Sequence, residues 1–238
     1  MAKATSLCAL LLAATLQGCA TMGENPADPL EPLNRAMFSF NDTLDEAVMK
    51  PVAKGYRFVL PGFVRTGVSN FFSNVDDVWV SINQVLQGKF LDGLGDFGRF
   101  LFNSTVGIAG LFDFASDVGL PKHSEDFGQT LAWWGVGSGP YVVLPILGPS
   151  TVRDGLAFIV DTQADPVWRI DTVAVRNTSV VIRFTGRRAE LLDVSSVLEQ
   201  AALDRYVFLR DAWLQRRRSL IYDGDPPREK EEFDDDSR

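Results

Sequence analysis

WWGVGSGPYVVLPILGPSTVRD, running from Trp133 to Asp154, is strongly apolar, yet Gly135, Gly137, Gly139, Pro140, Pro145, Gly148 and Pro149 interrupt it. A glycine costs a helix about 1 kcal/mol and an interior proline about 3 kcal/mol, so no long helix passes through. Each proline also deletes a ladder donor, which spoils a central strand. What remains is a rigid, kinked, greasy hairpin or loop. Irregular backbone with so few polar side chains needs protein or lipid around it. The chain supplies too few long apolar runs to bury this segment in an ordinary core, and that directs attention to a membrane.

The start of the chain agrees. Lys3 follows Met1, Leu7 to Leu16 is an apolar run, and Leu16-Gln17-Gly18-Cys19 comes next. The run has the length of a signal-peptide core and is too short for a bilayer span of roughly 20 residues. The four residues ending in Cys19 resemble a bacterial lipobox, which implies cleavage before Cys19 and acylation of that cysteine. Three acyl chains exceed what stable anchoring needs. By the same resemblance, Ala20 in place of an aspartate points to the outer membrane. Cys8 leaves with the signal segment, so the mature chain has no thiol pair for a disulfide even in an oxidising compartment.

Outward from the central stretch, the pattern is helical. Asp28, Pro29 and Glu31 form a capping box with proline in the first turn. Leu33, Met37, Phe40, Leu44 and Val48 then lie on one helix face. Pro51 ends that helix and opens a short one, which Pro61-Gly62 ends in turn. A third helix fits Phe63 to Phe72, and Asn74 can cap a fourth through Leu86. Phe90 to Phe102 is apolar nearly all round, with Gly93, Gly95 and Gly98 interleaved, as expected of a helix in a large core or against lipid. Gly107 to Phe112 continues in that vein. Seventeen phenylalanines exceed the needs of a modest core, which puts many on a lipid-facing belt. With no run of 18 apolar residues, the chain belongs in one leaflet or its interface.

Beyond the central stretch, Ser150 or Thr151 can cap a helix that Asp165-Pro166 ends. Arg169, Arg176 and Arg183 recur every seven residues. On a helix they form either a solvated face or a row of forks for phosphate oxygens. A last helix spans Ser195 to Ile221. Its Arg216-Arg217-Arg218 cluster suits the helix dipole, an acidic partner or anionic lipid. From Asp223 onward eight acids face three bases within the net charge of −8, a composition expected to be disordered.

Catalytic and nucleic-acid signatures are missing. One histidine, His123, and no free cysteine exclude a His/Cys metal site. Val136 and Pro140 stand where the nucleophile elbow around Ser138 needs glycines. No P-loop or basic, aromatic face is present, so no nucleic acid is expected.

Seven blocks together resemble the MlaA (VacJ) family of outer-membrane phospholipid-transport lipoproteins: DPLEPLNRAMFSFND from Asp28, VRTGVSNFFSNVDD from Val64, NQVLQGKF from Asn83, RFLFNSTVGIAGLFD from Arg99, EDFGQTLAWWGVGSGPYVVLPILGPSTVRDG from Glu125, and RAELLD with DRYVFLRDA later. The resemblance implies an all-α ring in the inner leaflet of the outer membrane, facing the periplasm and pierced by an amphipathic channel. Phospholipids would leave the outer leaflet through it and pass to a soluble periplasmic carrier, MlaC, with a trimeric porin beside the ring. It divides the chain into a signal peptide over 1–18, a lipidated linker over 19–27, a helical domain over 28–222 and an acidic tail over 223–238.

A phospholipid passage needs apolar walls and a few polar donors. Met37, Phe38, Phe40 and Asn41 are placed beside it, with Gly137, Gly139, Pro140 and Tyr141 in its wall. Arg153, Arg169, Arg176 and Arg183 are the candidates for phosphate contact. Such flow needs no cofactor, metal or covalent step. Two rivals stand beside this expectation: a lipid-modifying enzyme using Ser124 or Ser138 with His123, and a structural lipoprotein that braces a porin.

Overall fold

Glu31 to Leu44 forms the first helix, α1, with Pro32 in its opening turn. The computed structural model describes residues 28–228, without the side chains of 197–201. The expected signal peptide, Cys19, the linker to residue 27 and the tail beyond 228 lie outside the described residues. Asp28 does not cap α1 through its side chain. Its backbone carbonyl accepts from the Glu31 amide, and its carboxylate is buried among Asn34, Tyr206 and Arg210. The break expected at Pro51 is absorbed differently. A π-helical turn, Asp45–Met49, leads into α2, Lys50–Val59, where Pro51 sits in the first turn and its missing N–H is harmless.

The two short helices expected between Phe63 and Leu86 are one helix, α3, Gly62–Leu86. Asn74 is therefore in its middle. Its side chain donates to Ser104 of the next helix at 2.9 Å instead of capping. A turn at Gly88 leads into α4, Phe90–Thr105. Of Gly93, Gly95 and Gly98, only Gly93 meets α3, where Ser81 donates to its carbonyl at 2.7 Å. The helical pattern stops at Thr105. Ile108, Ala109 and Gly110 all take positive φ, and a Cβ at Gly110 would lie 2.7 Å from Asn74. Only glycine tolerates both demands.

Short helices α5, Phe114–Asp117, and α6, Phe127–Trp133, are capped by Asp113 and Asp126. The glycine- and proline-rich stretch forms a two-stranded antiparallel hairpin. Tyr141–Leu144, β1, pairs with Gly148–Thr151, β2, from Tyr141 opposite Thr151 to Leu144 opposite Gly148. Thr151 then caps α7, Val152–Ala164, by accepting from the Asp154 amide at 3.2 Å. A 3₁₀ turn, Pro166–Arg169, precedes α8, Val173–Glu190. The expected last helix is two, α9, Leu192–Ala201, and α10, Arg205–Ile221, because Asp204 caps a new start by accepting from Tyr206 and Val207.

Burial is inverted relative to a water-soluble bundle. The largest fully buried side chains are all polar, Arg99, Gln84, Asn34, Asn83, Asp77 and Asp96 among them. Phe58, Leu91 and Phe63 are meanwhile 91%, 84% and 80% exposed. Buried polar groups of α3 and α4 bond chiefly to the segments that follow α4, while Asp77 Oδ2, Asp96 Oδ1 and Arg99 Nε have no hydrogen-bond partner among the described residues. Arg99 bonds both Asp113 oxygens at 2.9 and 3.0 Å and the Leu120 carbonyl, while Asn103 takes Asp113 at 2.8 Å. Asn83 accepts from Thr130 at 2.7 Å, and Gln87 donates to Glu125 at 2.8 Å. Water does not tolerate so much exposed aromatic surface, whereas lipid does. No helix among the described residues is long and apolar enough to cross a membrane.

Candidate functional site

The hairpin is held to α1 by two asparagines two helical turns apart. Asn34 donates to the Tyr141 carbonyl at 3.0 Å and accepts from the Val143 amide at 2.8 Å. Asn41 repeats the pattern further along, donating to the Leu144 carbonyl at 2.9 Å and accepting from the Ile146 amide at 2.7 Å. Both face the same strand because seven residues make two turns of a helix. Asn41, expected beside the passage, is thus a hairpin clamp, and Asn34 is a partner that sequence patterning did not single out. Asp28 accepts the second Asn34 donor at 2.8 Å and fixes its amide.

Around this clamp lies an ordinary apolar cluster, and a smaller one of Ala53, Ala189 and Leu192 joins α2 to α8 and α9. Tyr141, Val143 and Tyr206 are buried, with Met37, Phe38 and Trp213 packed on them. Phe38 meets the Tyr206 ring edge-on, with centroids 5.7 Å apart. Burial, with the Asp28 carboxylate next, pushes the Tyr141 hydroxyl up to about 12. Phe40 points away and is half exposed, while Gly137, Gly139 and Pro140 are exposed on the loop before β1.

That loop is pinned to the start of α7. Ser138 and Pro140 carbonyls accept from the Arg153 and Val152 amides at 3.1 Å. Arg153 is buried, bonds Asp154 through Nε at 2.9 Å and donates to the Val136 carbonyl at 3.2 Å. Beside it, Arg217 of α10 bridges two helix starts. It bonds both oxygens of Asp126 at 2.5 and 2.7 Å and both of Asp154 at 3.0 and 2.9 Å. Burial alone would raise the Asp126 carboxyl, but the Arg217 fork holds it below the usual range. Gly128 makes room, since a Cβ there would lie 2.5 Å from Arg217 and Asp154. Arg217, expected to serve the helix dipole or an outside partner, is committed internally. The start of the acidic tail is also placed, with Asp223 held by Lys89 at 2.5 Å.

The arginine series does not share one helix. Arg169 sits in the 3₁₀ turn, bonding the Gln163 carbonyl at 2.9 Å, and only Arg176 and Arg183 lie on α8. Ile170, Asp171 and Thr172, outside any helix, break the backbone between Arg169 and α8. Arg183 stands between Asp165 at 2.6 Å and Asp76 of α3, which also takes Arg187 at 3.1 Å. Asp76 and Arg187 were missed, although Arg187 follows Arg183 by one helical turn. Arg183 and Arg187 line two cavities, whereas Arg153 and Ser138 line a third, of about 470 Å³. His123 meets Asp96 through Nδ1 at 3.0 Å and lies in a different cavity from Ser138.

An inverted core and a clamped, glycine-rich hairpin fit a protein immersed in lipid, and comparison with known chains gives the family. The model described as MlaA lipoprotein matches residues 26–220. The chain belongs to the MlaA lipoprotein family. The intermembrane phospholipid transport system lipoprotein MlaA of Shigella flexneri is 36% identical, over 92% of this chain and 90% of that relative. The MlaA lipoprotein of the same description from Haemophilus influenzae is 31% identical over 99% of this chain and 98% of its own. A solved structure described as "Structural basis for maintenance of bacterial outer membrane lipid asymmetry" superposes with a TM-score of 0.72 at 35% identity, covering 82% of this chain and 98% of that one. The helical MlaA fold expected from the sequence is therefore the fold observed.

Proposed function

We propose that this chain is the outer-membrane lipoprotein of an intermembrane phospholipid transport system that keeps the outer membrane asymmetric. The observation that carries this is the inverted burial within an MlaA chain: polar side chains packed inside, Phe58, Phe63 and Leu91 bare outside. An outer belt of that kind sits in acyl chains, and a polar interior gives a phospholipid headgroup a route that hydrocarbon denies it. The acylated Cys19 holds the chain on the inner leaflet, facing the periplasm, and the helices ring an amphipathic passage. The hairpin with Met37, Phe38 and Asn41 braces one wall, Phe40 and the Gly137–Pro140 loop edge it, and Arg153, Arg169, Arg176 and Arg183 are the phosphate contacts. Lipid leaving the passage goes to a soluble periplasmic carrier, and a trimeric porin stands alongside.

No covalent step is needed for flow down a gradient. His123 is engaged by Asp96, and neither Ser124 nor Ser138 bonds it among the described residues. The test is complementation. In cells lacking their own MlaA chain, expression of this one lowers outer-leaflet phospholipid, read with an impermeant phospholipase. An unchanged level overturns the proposal, and release of lysolipid by the purified chain favours an enzyme instead.

A further inference from the structure

Two cavities meet on either side of one cluster of charged side chains. The first, about 330 Å³, lies between α3 and α8 with Val68, Phe72 and Ile182 in its walls. The second, about 380 Å³, lies among α3, α7 and α8 with Trp79, Phe158 and Phe184. Asp76, Val80, Ser124, Arg183 and Arg187 line both, so these side chains form the partition. Across it Arg183 links Asp76 of α3 to Asp165 at the end of α7, and Arg187 takes the other Asp76 oxygen. Two guanidiniums thus share one carboxylate. The Nε donor of Arg183 is buried without a partner.

We propose that this cluster is an ionic bar across the lipid passage, and that a lipid phosphodiester opens it by replacing Asp76 on Arg183 and Arg187. The inference rests on the transport function proposed above and adds where the phosphate is read. A phosphodiester carries one negative charge, as a carboxylate does, and offers oxygens that fit the same guanidinium forks. At the two guanidiniums one negative charge replaces another, and the displaced Asp76 carboxylate, 30% exposed, turns to water. Arg183 is 12% exposed, so leaving its guanidinium without Asp76 or another anion is unfavourable, and the bar stays shut until an anion arrives. Lys122 and His123, which also border the first cavity, are held by Asp77 and Asp96, and Glu190 at its rim is exposed. The apolar side chains on both sides, Phe72 and Ile182 on one and Phe158 and Phe184 on the other, can meet acyl chains. An uncharged lipid such as diacylglycerol fits those walls and has nothing to displace Asp76.

The test uses the full-length protein in lipid nanodiscs with a photo-crosslinking residue at Val180, which lines the second cavity. It is offered equal phosphatidylglycerol and diacylglycerol. Phosphatidylglycerol adducts should exceed diacylglycerol adducts about tenfold, the worth of one charge-assisted hydrogen bond. The double variant Arg183→Gln with Arg187→Gln should level the two lipids. Asp76→Asn, which leaves both guanidiniums available, should raise the phosphatidylglycerol adduct severalfold, and circular dichroism should show the same helix content in every variant. Equal labelling of both lipids in the unaltered chain overturns the inference while transport stands. No lipid adduct from Val180, with surface phospholipid still lowered in cells, moves the passage elsewhere and overturns it too. Excess inorganic phosphate should leave the adduct intact, and its loss would make free phosphate the ligand and contradict a lipid site. If neither adduct nor cellular effect appears, both readings fall together.

Discussion

The hairpin clamp and the α3–α4 pair bury opposite kinds of side chain. At the clamp, Tyr141, Val143 and Tyr206 form an apolar cluster, and Asn34, held by Asp28, ties α1 to the hairpin backbone. Between α3 and α4 the interior is Asp77, Asp96, Arg99 and Asn103, and the aromatic and aliphatic side chains turn outward. The difference shows which surroundings each region is built for. A cluster like the first forms wherever apolar groups escape water. In lipid that force disappears, and buried polar side chains that must find each other supply the specificity.

The largest test of this contrast is Arg99→Leu. It removes the buried guanidinium that stands beside Asp77 and bonds Asp113 and the Leu120 carbonyl, and should destabilise the chain by about 3–5 kcal/mol in detergent unfolding followed by circular dichroism. A loss below about 1 kcal/mol would mean that the network is ornament to the packing. At the clamp, Asn34→Ala removes two backbone bonds and the Asp28 contact. We expect a loss of about 2–3 kcal/mol. Hydrogen exchange should localise it, with the Val143 amide losing protection before those of α3.

Titration separates the regions next. Burial, opposed by the Lys122 ammonium, pushes Asp77 up to about 6 from 3.8. Burial also raises Glu125 and Asp161. Between about pH 4 and 6 the folded chain then binds protons more readily than the unfolded one, so stability rises as pH falls from 7.5 towards 5. The gain assigned to Asp77 is about 1–2 kcal/mol, and Asp77→Asn should flatten that part of the profile. The smallest effect on stability belongs to the outside. Phe58→Ser should shift unfolding in detergent by no more than about 0.5 kcal/mol, yet weaken vesicle partitioning of the unacylated chain by about 2 kcal/mol. A fold lost on this change would place Phe58 in a core.

Much of the site was legible where a residue type has one use. The glycines and prolines of Trp133 to Asp154 allowed only a hairpin or loop, and of the two expected caps, Ser150 or Thr151, it is Thr151 that starts α7. All-round apolarity over Phe90 to Phe102 left a large core or lipid, and Phe90, Leu91 and Leu94 are exposed while Asp96 and Arg99 turn inward. Polar residues were harder, because pattern alone does not say what a buried hydrogen bond will reach. Asn74 looked like a cap and became a mid-helix tie to Ser104; Asp28 looked like a cap and became an anchor for α10. Arg217 looked solvated and joins α6 to α7. Spacing of seven suggested one face for Arg169, Arg176 and Arg183, but Arg169 ends a 3₁₀ turn and three non-helical residues that periodicity does not register separate it from α8.

Depth-resolved fluorescence quenching addresses the inverted burial most directly. Phe58, Phe63 and Leu91 are replaced singly by tryptophan in a variant whose five native tryptophans are phenylalanine, and the protein is reconstituted in vesicles containing brominated phospholipid. The account predicts strong quenching by the brominated chains and almost none by aqueous iodide at all three positions. Quenching by iodide with indifference to bromine would contradict it, because those side chains would then face water.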